Sequence, residues 1–368
     1  MNVYVLGTAL HPPSLAQRDM RLEELAWHTA RAALADAGIS RRQLDHLTIG
    51  ACDELDGRPI SSMLMAAPTG GFMTDEMKVT DSGAMALCLG YARIKSGEFH
   101  LGLVSSWCKP SKTDVDAVMR LRGDPFFSRP LDIDMTTTDG LFAQAVSNEF
   151  GVTEEEAAQR ATAAYRRARL NPRALPRDAF PQEAQVSQSD YVAAPLRDLH
   201  RAPLTDGAAM LVLASEEFVR KNRDVKPLAR ITGVGWASDS YRLGSGRLRS
   251  MQSARKAWAQ ALEQAGAASA RDFDVIEVES QTSWHEAAYV RALGIDDETK
   301  VSPSGGPFAQ NPLFCTGLVG AVEAVLQVSG RAGAVQRAGV KRAAAHSCHG
   351  YAQQGNTVVC FGQVEGAA

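Results

Sequence analysis

The chain has 368 residues, of which 45% are hydrophobic and 22% charged, with a formal net charge of −3; this is ordinary globular composition with room for two domains. So small a charge gives nucleic acid or an anionic membrane no electrostatic hold, and no apolar run reaches the ~18 residues of a membrane-spanning helix. Six scattered cysteines (Cys52, Cys88, Cys108, Cys315, Cys348, Cys360) without a CxxC pair predict reduced thiols in the cytoplasm, not a disulfide framework or a zinc site.

Met1 to Gly7 reads as a strand from the first residue, with no leader. An amphipathic helix follows near Leu22 to Ala37, closed by Gly38, and then a short strand at Leu47-Thr48-Ile49. A glycine-containing passage, Ala66 to Phe72, precedes an extended run, Met77 to Val79. After Asp81 no charged side chain appears until Arg93. A helix apolar on every face belongs in the interior, and Thr80, Asp81 and Ser82 are suitable N-caps. A buried helix whose N-terminus meets a strand end favours an anion or a nucleophile, yet this turn contains no cysteine. The helix closes at Ser96-Gly97, and Leu101 to Ser106 is a further buried strand.

From about Lys109 to Arg201 the chain carries many charges, several prolines and two helical patterns, Leu141–Phe150 and Thr153–Ala168, which predicts an insertion lying over the sheet. Asp114, Asp116, Asp132 and Asp134 have no metal-ligand grouping and read as a solvated loop. A strand follows, Ala208 to Ala214. From about Lys226 the pattern restarts: Ala33-Leu34-x-x-Ala37-Gly38 before Asp45 and a strand matches Ala261-Leu262-x-x-Ala265-Gly266 before Asp274 and a strand. Lys95-Ser96-Gly97 likewise matches Val328-Ser329-Gly330. Two matched segments in the same order predict a duplicated α/β unit, with halves 1–225 and 226–368.

These residues make the whole chain resemble the thiolase superfamily, nearest to sterol-carrier-protein-type thiolases and the thiolase-like proteins that work in complexes. Thr80-Asp81-Ser82-Gly83 stands where such enzymes have Cys-Ala-Ser-Gly. Phe150-Gly151 with Asn171-Pro172 is similar to the loop-domain helix, and Leu204-Thr205-Asp206-Gly207-Ala208-Ala209 to the Ser-Asp-Gly-Ala-Ala segment. Pro303-Ser304-Gly305-Gly306, Asn311-Pro312 and Thr316-Gly317 follow the Ser-Gly-Gly, His-Pro, Thr-Gly series. The resemblance implies a five-layer αβαβα sandwich of two duplicated halves, its central helices lying between two sheets, and a homodimer formed through the strand at Glu76 to Val79.

A thiolase needs a thiolate, an imidazole to activate it and a second acid/base near the substrate's α-carbon. By the resemblance Thr80 stands at the nucleophile, with Ser82 as an alternative register, and Asn311 stands at the histidine; an amide accepts no proton near neutral pH. Glu279, in Val278-Glu279-Ser280-Gln281, replaces a further polar residue of the site. The second acid/base falls on Cys348 or His349, with His346 still open. Cys88 reads as a core thiol. Cys315 opens a helix whose dipole would lower its pKa, and His28 and His285 read as structural. Arg249, in the basic stretch Arg242, Arg247, Arg249, Arg255 and Lys256, together with Gly305 and Gly306, is the expected contact for coenzyme A.

Three readings follow. The chain is an acyl-CoA-binding subunit of an acyltransferase complex without covalent catalysis. Or it is an acyltransferase or retro-aldolase with non-standard residues, Tyr351 among them. Or it is an ordinary thiolase whose nucleophile lies elsewhere. The resemblance implies a coenzyme A thioester as ligand, no tightly bound cofactor or metal, and a catalytic thiolase-like chain or an OB-fold, zinc-ribbon protein as partner.

Overall fold

In a computed structural model, which describes residues 1–57, 60–71 and 73–364, the first half of the chain supplies β1 (Val3–Leu10), α1 (Leu22–Ala37), β2 (His46–Ala51), β3 (Asp75–Thr80), α2 (Gly83–Lys95) and β4 (Leu101–Cys108). The next region carries α3 (Val115–Arg122), α4 (Met135–Phe150) and α5 (Glu154–Leu170), and leads into β5 (Gly207–Ser215). Then come β6 (Ala229–Ser238), α6 (Gln252–Ala265), β7 (Val275–Val278), α7 (Ser283–Ala292), α8 (Thr316–Val328), β8 (Arg342–His349) and β9 (Gly355–Gly362). Phe72, at the end of the glycine passage, lies outside the described residues.

The two expected sheets are hydrogen-bonded into one, in the order β3-β2-β4-β5-β1-β6-β9-β8-β7. The seam is a short antiparallel pairing of β1 with β6, Val3 opposite Ile231 and Val5 opposite Ala229. Outward from the seam, one side runs β1, β5, β4, β2, β3. The other runs β6, β9, β8, β7, with the Ile276–Val301 bridge in last place. The same strand order therefore occurs on both sides, as the repeated helix–Gly–strand pattern predicts.

The sheet closes over α2 and α8, which touch each other and strands from both sides of the seam. Ala86, Leu87, Leu318, Val322 and Val325 share a core with Val5, Leu211, Val234 and Phe361. That position explains why α2 carries no charge between Asp81 and Arg93. Ser82 is its N-cap, accepting the Met85 N–H at 3.0 Å, which is geometry that stabilises a helix end by ~1 kcal/mol. On the outside, α1 lays Leu25, Ala30, Ala33 and Leu34 against β1, β4 and β5, and α6 covers β6 and β9.

Two of the aspartates expected in a solvated loop are helix caps instead. Asp114 accepts from Ala117 N at 3.0 Å and Asp134 from Thr137 N at 2.8 Å. The second cap starts α4 six residues before the apolar pattern at Leu141 becomes readable, because its first turns are threonines. Among the described residues no helix is long and apolar enough to cross a membrane.

Candidate active site

A cavity of about 450 Å³, including its mouth, lies where α3, α4, the turn before α8 and the ends of β7 and β8 converge. Its wall combines Met119, Met135, Leu313 and Phe314 with Asp139, Glu279, Gln281, Cys348 and His349. Three of the residues expected from sequence (Glu279, Cys348 and His349) therefore meet at one place.

Glu279 follows the last residue of β7 and is only 5% exposed. Its Oε2 accepts from Ser347 Oγ at 2.7 Å and its Oε1 from Gln281 Nε2 at 2.9 Å. Burial raises its carboxyl to about 7 against the lowering effect of those two bonds. Asn311 is one residue removed from the cavity: its Nδ2 donates to Gln281 Oε1 at 2.7 Å, and its Oδ1 accepts from Thr316 Oγ1 at 2.7 Å. Thr316, Asn311, Gln281, Glu279 and Ser347 thus form one connected polar chain. Such a chain fixes its members and is costly to leave half-satisfied.

Burial pushes the Cys348 thiol well above its ordinary value, reinforced by the Glu279 charge, so it stands as a thiol and not a thiolate. Burial lowers the His349 imidazole to about 4; the ring is neutral near pH 7 and its Nδ1 has no hydrogen-bond partner among the described residues. His346, the third candidate, is turned away from this cavity. Its Nε2 meets Asn356 Oδ1 at 2.8 Å, and it lines a second, buried space with Glu277, Gln310 and Gly306.

Thr80 is not brought to the cavity: it is the exposed last residue of β3. The turn into α2 aims Asp81 inward instead, with a left-handed φ of 69°, a conformation few non-glycine residues adopt. Asp81 is paired with Arg122, whose Nη1 donates to Oδ1 at 2.9 Å and to Cys52 Sγ at 3.2 Å. The guanidinium lies 5.3 Å from the centre of the Phe314 ring. The helix N-terminus, where an anion or a nucleophile was expected, thus holds an anion, the Asp81 carboxylate in an ion pair with Arg122. Cys315 is also corrected: at the start of α8 burial dominates any helix dipole, and its thiol is raised to about 12.

The expected coenzyme A contacts lie apart from this cavity. Arg249 sits at the surface, 3.9 Å from Glu149, and Arg247 is engaged by the Tyr351 and Ala352 carbonyls. The close approach that Gly305 permits is to the backbone of α5, where an added Cβ would lie 2.6 Å from Ala168 N. Sequence reading missed Asp139 and His285 as neighbours. An aspartate on the buried face of α4, within Thr138-Asp139-Gly140 and shared with Phe142 and Val146, is the signal that was there to find. Among the described residues no group of three or more His, Cys, Asp or Glu is placed to hold a metal ion.

No protein-family model matches the chain. It is 27% identical to the acetyl-CoA acetyltransferase of Methanothermobacter thermautotrophicus, an alignment covering 90% of this chain and 92% of that one. It is 26% identical to sterol carrier protein 2 of Gallus gallus over 94% of this chain and 69% of the relative. Human mitochondrial 3-ketoacyl-CoA thiolase superposes with a TM-score of 0.80, covering 99% of each chain at 19% sequence identity, and its complex with CoA gives the same score.

Proposed function

From a chain that belongs to the thiolase superfamily, we infer an acyl-CoA-binding protein that holds its thioester without forming an acyl-enzyme. The observation that carries this is the separation of Thr80, exposed at the end of β3, from a cavity lined by Glu279, Cys348 and His349. The Thr80 hydroxyl lies outside the cavity, and Asn311, at the place of the activating imidazole, spends its amide on Gln281 and Thr316. Intact-protein mass spectrometry after incubation with acetyl-CoA is expected to show no adduct at residue 80. Thr80→Cys alone is expected to create no thiolase turnover. An acyl adduct mapped to Cys315 or Cys348 would restore the covalent reading.

A second reading, acid–base chemistry at the carbon next to the thioester, is favoured by one observation. Glu279 and Asp139 both line the cavity, and burial raises both to about 7, within the range that general acid–base groups use. Bond making or breaking between carbons, as in a retro-aldol reaction, belongs to this class.

The two similar arms of the sheet support a division into halves near residue 225. A homodimer through β3 is supported by its place as the terminal strand, with the exposed Met63, Met73 and Met77 beside or on it; an uncovered strand edge presents unpaired backbone groups that another chain can pair with. The reading also includes a cytoplasmic location and a heteromeric partner, either a catalytic thiolase-like chain or an OB-fold, zinc-ribbon protein. Light scattering of the purified chain is expected to give a dimer, and pull-down from the native cell the partner. A monomer across micromolar concentrations, or a tagged chain recovered alone, would remove those two elements respectively.

A further inference from the structure

Asp139 comes from the inner face of α4 and is 6% exposed, yet it lines the cavity. Its Oδ1 accepts from Gln353 Nε2 at 3.3 Å and lies 3.9 Å from His285 Nε2. No described residue hydrogen-bonds its Oδ2. The His285 ring is stacked on Phe142, with ring centres 4.4 Å apart, on the same helix. Its Nδ1 accepts the Thr282 backbone N–H at 3.1 Å. That bond uses the Nδ1 lone pair, so the ring proton resides on Nε2, the atom nearest Asp139.

The other polar groups of the cavity are less able to take a proton from carbon. Glu279 has a donor on each oxygen. The Cys348 thiol is held protonated by burial. His349 is neutral, with its Nε2 face over Gly355, where an added Cβ would lie 2.2 Å away. Of the two carboxyl groups that the described residues bring to the cavity, Asp139 is the one with an oxygen left over.

We propose that Asp139 is the catalytic base that exchanges a proton at the α-carbon of an acyl thioester bound in this cavity, with His285 and Gln353 as positioning residues. The free carboxylate oxygen takes the proton from Cα. The C–H electron pair becomes the thioester enolate, and return of the proton to Cα restores both partners. No oxidant or co-substrate enters the balance.

The electrostatic setting suits the role. Burial raises Asp139 to about 7; Arg201 opposes that rise, while Asp116 and Asp134 add to it. Also facing it from other elements are His285 and Tyr289 on α7 and Cys348 on β8. Burial lowers His285 to about 3, so its imidazole carries no charge near neutrality. The charged form of Asp139 therefore accumulates as pH rises through about 7, and exchange should rise with it.

The inference rests on the acyl-thioester reading above, and the experiment separates the two. Acetyl-CoA and butyryl-CoA are the probes. Binding is followed by calorimetry, and deuterium incorporation at Cα in D2O by NMR. The wild-type chain is expected to bind and to exchange, with a pH midpoint near 7. Asp139→Asn should bind within about threefold and lose exchange by roughly 10²–10⁴-fold. Gln353→Leu, which removes a donor to the carboxylate, should move the midpoint upward. Asp139→Asn that binds and exchanges like wild type overturns the proposal. Wild-type binding without exchange overturns it and leaves the binding reading standing, whereas no binding overturns both. Should Asp139→Asn fail to fold, an unmoved midpoint in Gln353→Leu overturns the proposal.

Discussion

Arg173→Ala is expected to destabilise the fold by roughly 3–5 kcal/mol, the range for a buried charge left without its partner. Glu323 lies in the middle of α8, 2% exposed, on a helix otherwise apolar over most of its length. Arg173 holds it with two bonds, Nε to Oε1 at 2.9 Å and Nη2 to Oε2 at 2.5 Å. Asn171 Nδ2 adds a third at 3.0 Å and also donates to the Ser304 carbonyl at 3.0 Å. The same guanidinium reaches the Ala332 carbonyl at 3.2 Å.

The segment after α5 is thereby fastened to the central helix and to the Ser304 turn. Removing Arg173 leaves a carboxylate beside Glu277, which burial and the Glu323 charge already raise to about 8. Urea unfolding should show the loss. Arg173→Met combined with Glu323→Gln should recover most of it, since replacing both members of a buried pair is tolerated far better than orphaning one. A loss under 1 kcal/mol in the single variant would mean that Asn171 and water carry the charge alone.

Much of the fold is legible in the residues because its signals are local. The uncharged run after Asp81, the Ser82 cap and the Gly38 stop place α2 and the end of α1 within a residue or two. The duplicated Ala-Leu-x-x-Ala-Gly pattern sits at the ends of α1 and α6, two helices in matching places on the sheet. The seam between β1 and β6 is not legible, since three backbone pairings between residues some 225 positions apart leave no pattern in side chains.

The site is legible only in part, for a related reason. Glu279, Cys348 and His349 lie beside motifs, so their positions are readable. Asp139 lies beside none, and its role depends on which helix face turns inward. Thr80 occupies the motif's place, but its strand ends with the side chain exposed while the left-handed Asp81 turns in toward Arg122. Gly305 and Gly306 read as ligand contacts, yet Gly305 packs on Ala168. Spacing shows that a backbone comes close to something, not what it approaches.

Gly317→Ala should join the two levels, costing stability by on the order of 1–3 kcal/mol through overpacking and disturbing the cavity together. A Cβ at Gly317, in the first turn of α8, would lie 2.1 Å from Ser347 Oγ, 2.5 Å from Ser347 Cβ and 2.9 Å from Glu279 Oε2. The Ser347 hydroxyl can rotate, but its Cβ is fixed by the pairing of β8 with β9. Nor is α8 free to lift, because Arg173 holds it at Glu323 and α2 packs against it. The strain therefore falls on the Ser347–Glu279 bond. That bond holds the Glu279 carboxyl down against burial, so its loss should push Glu279 further up. The expected result is a lower melting temperature together with weaker acetyl-CoA binding. Gly320→Ala, three residues along the same helix, is the control: its nearest atom would be Glu277 Cβ at 3.7 Å, an ordinary contact, and helix propensity favours alanine over glycine by ~1 kcal/mol. If Gly317→Ala melts and binds like Gly320→Ala, Ser347 does not hold Glu279 in place.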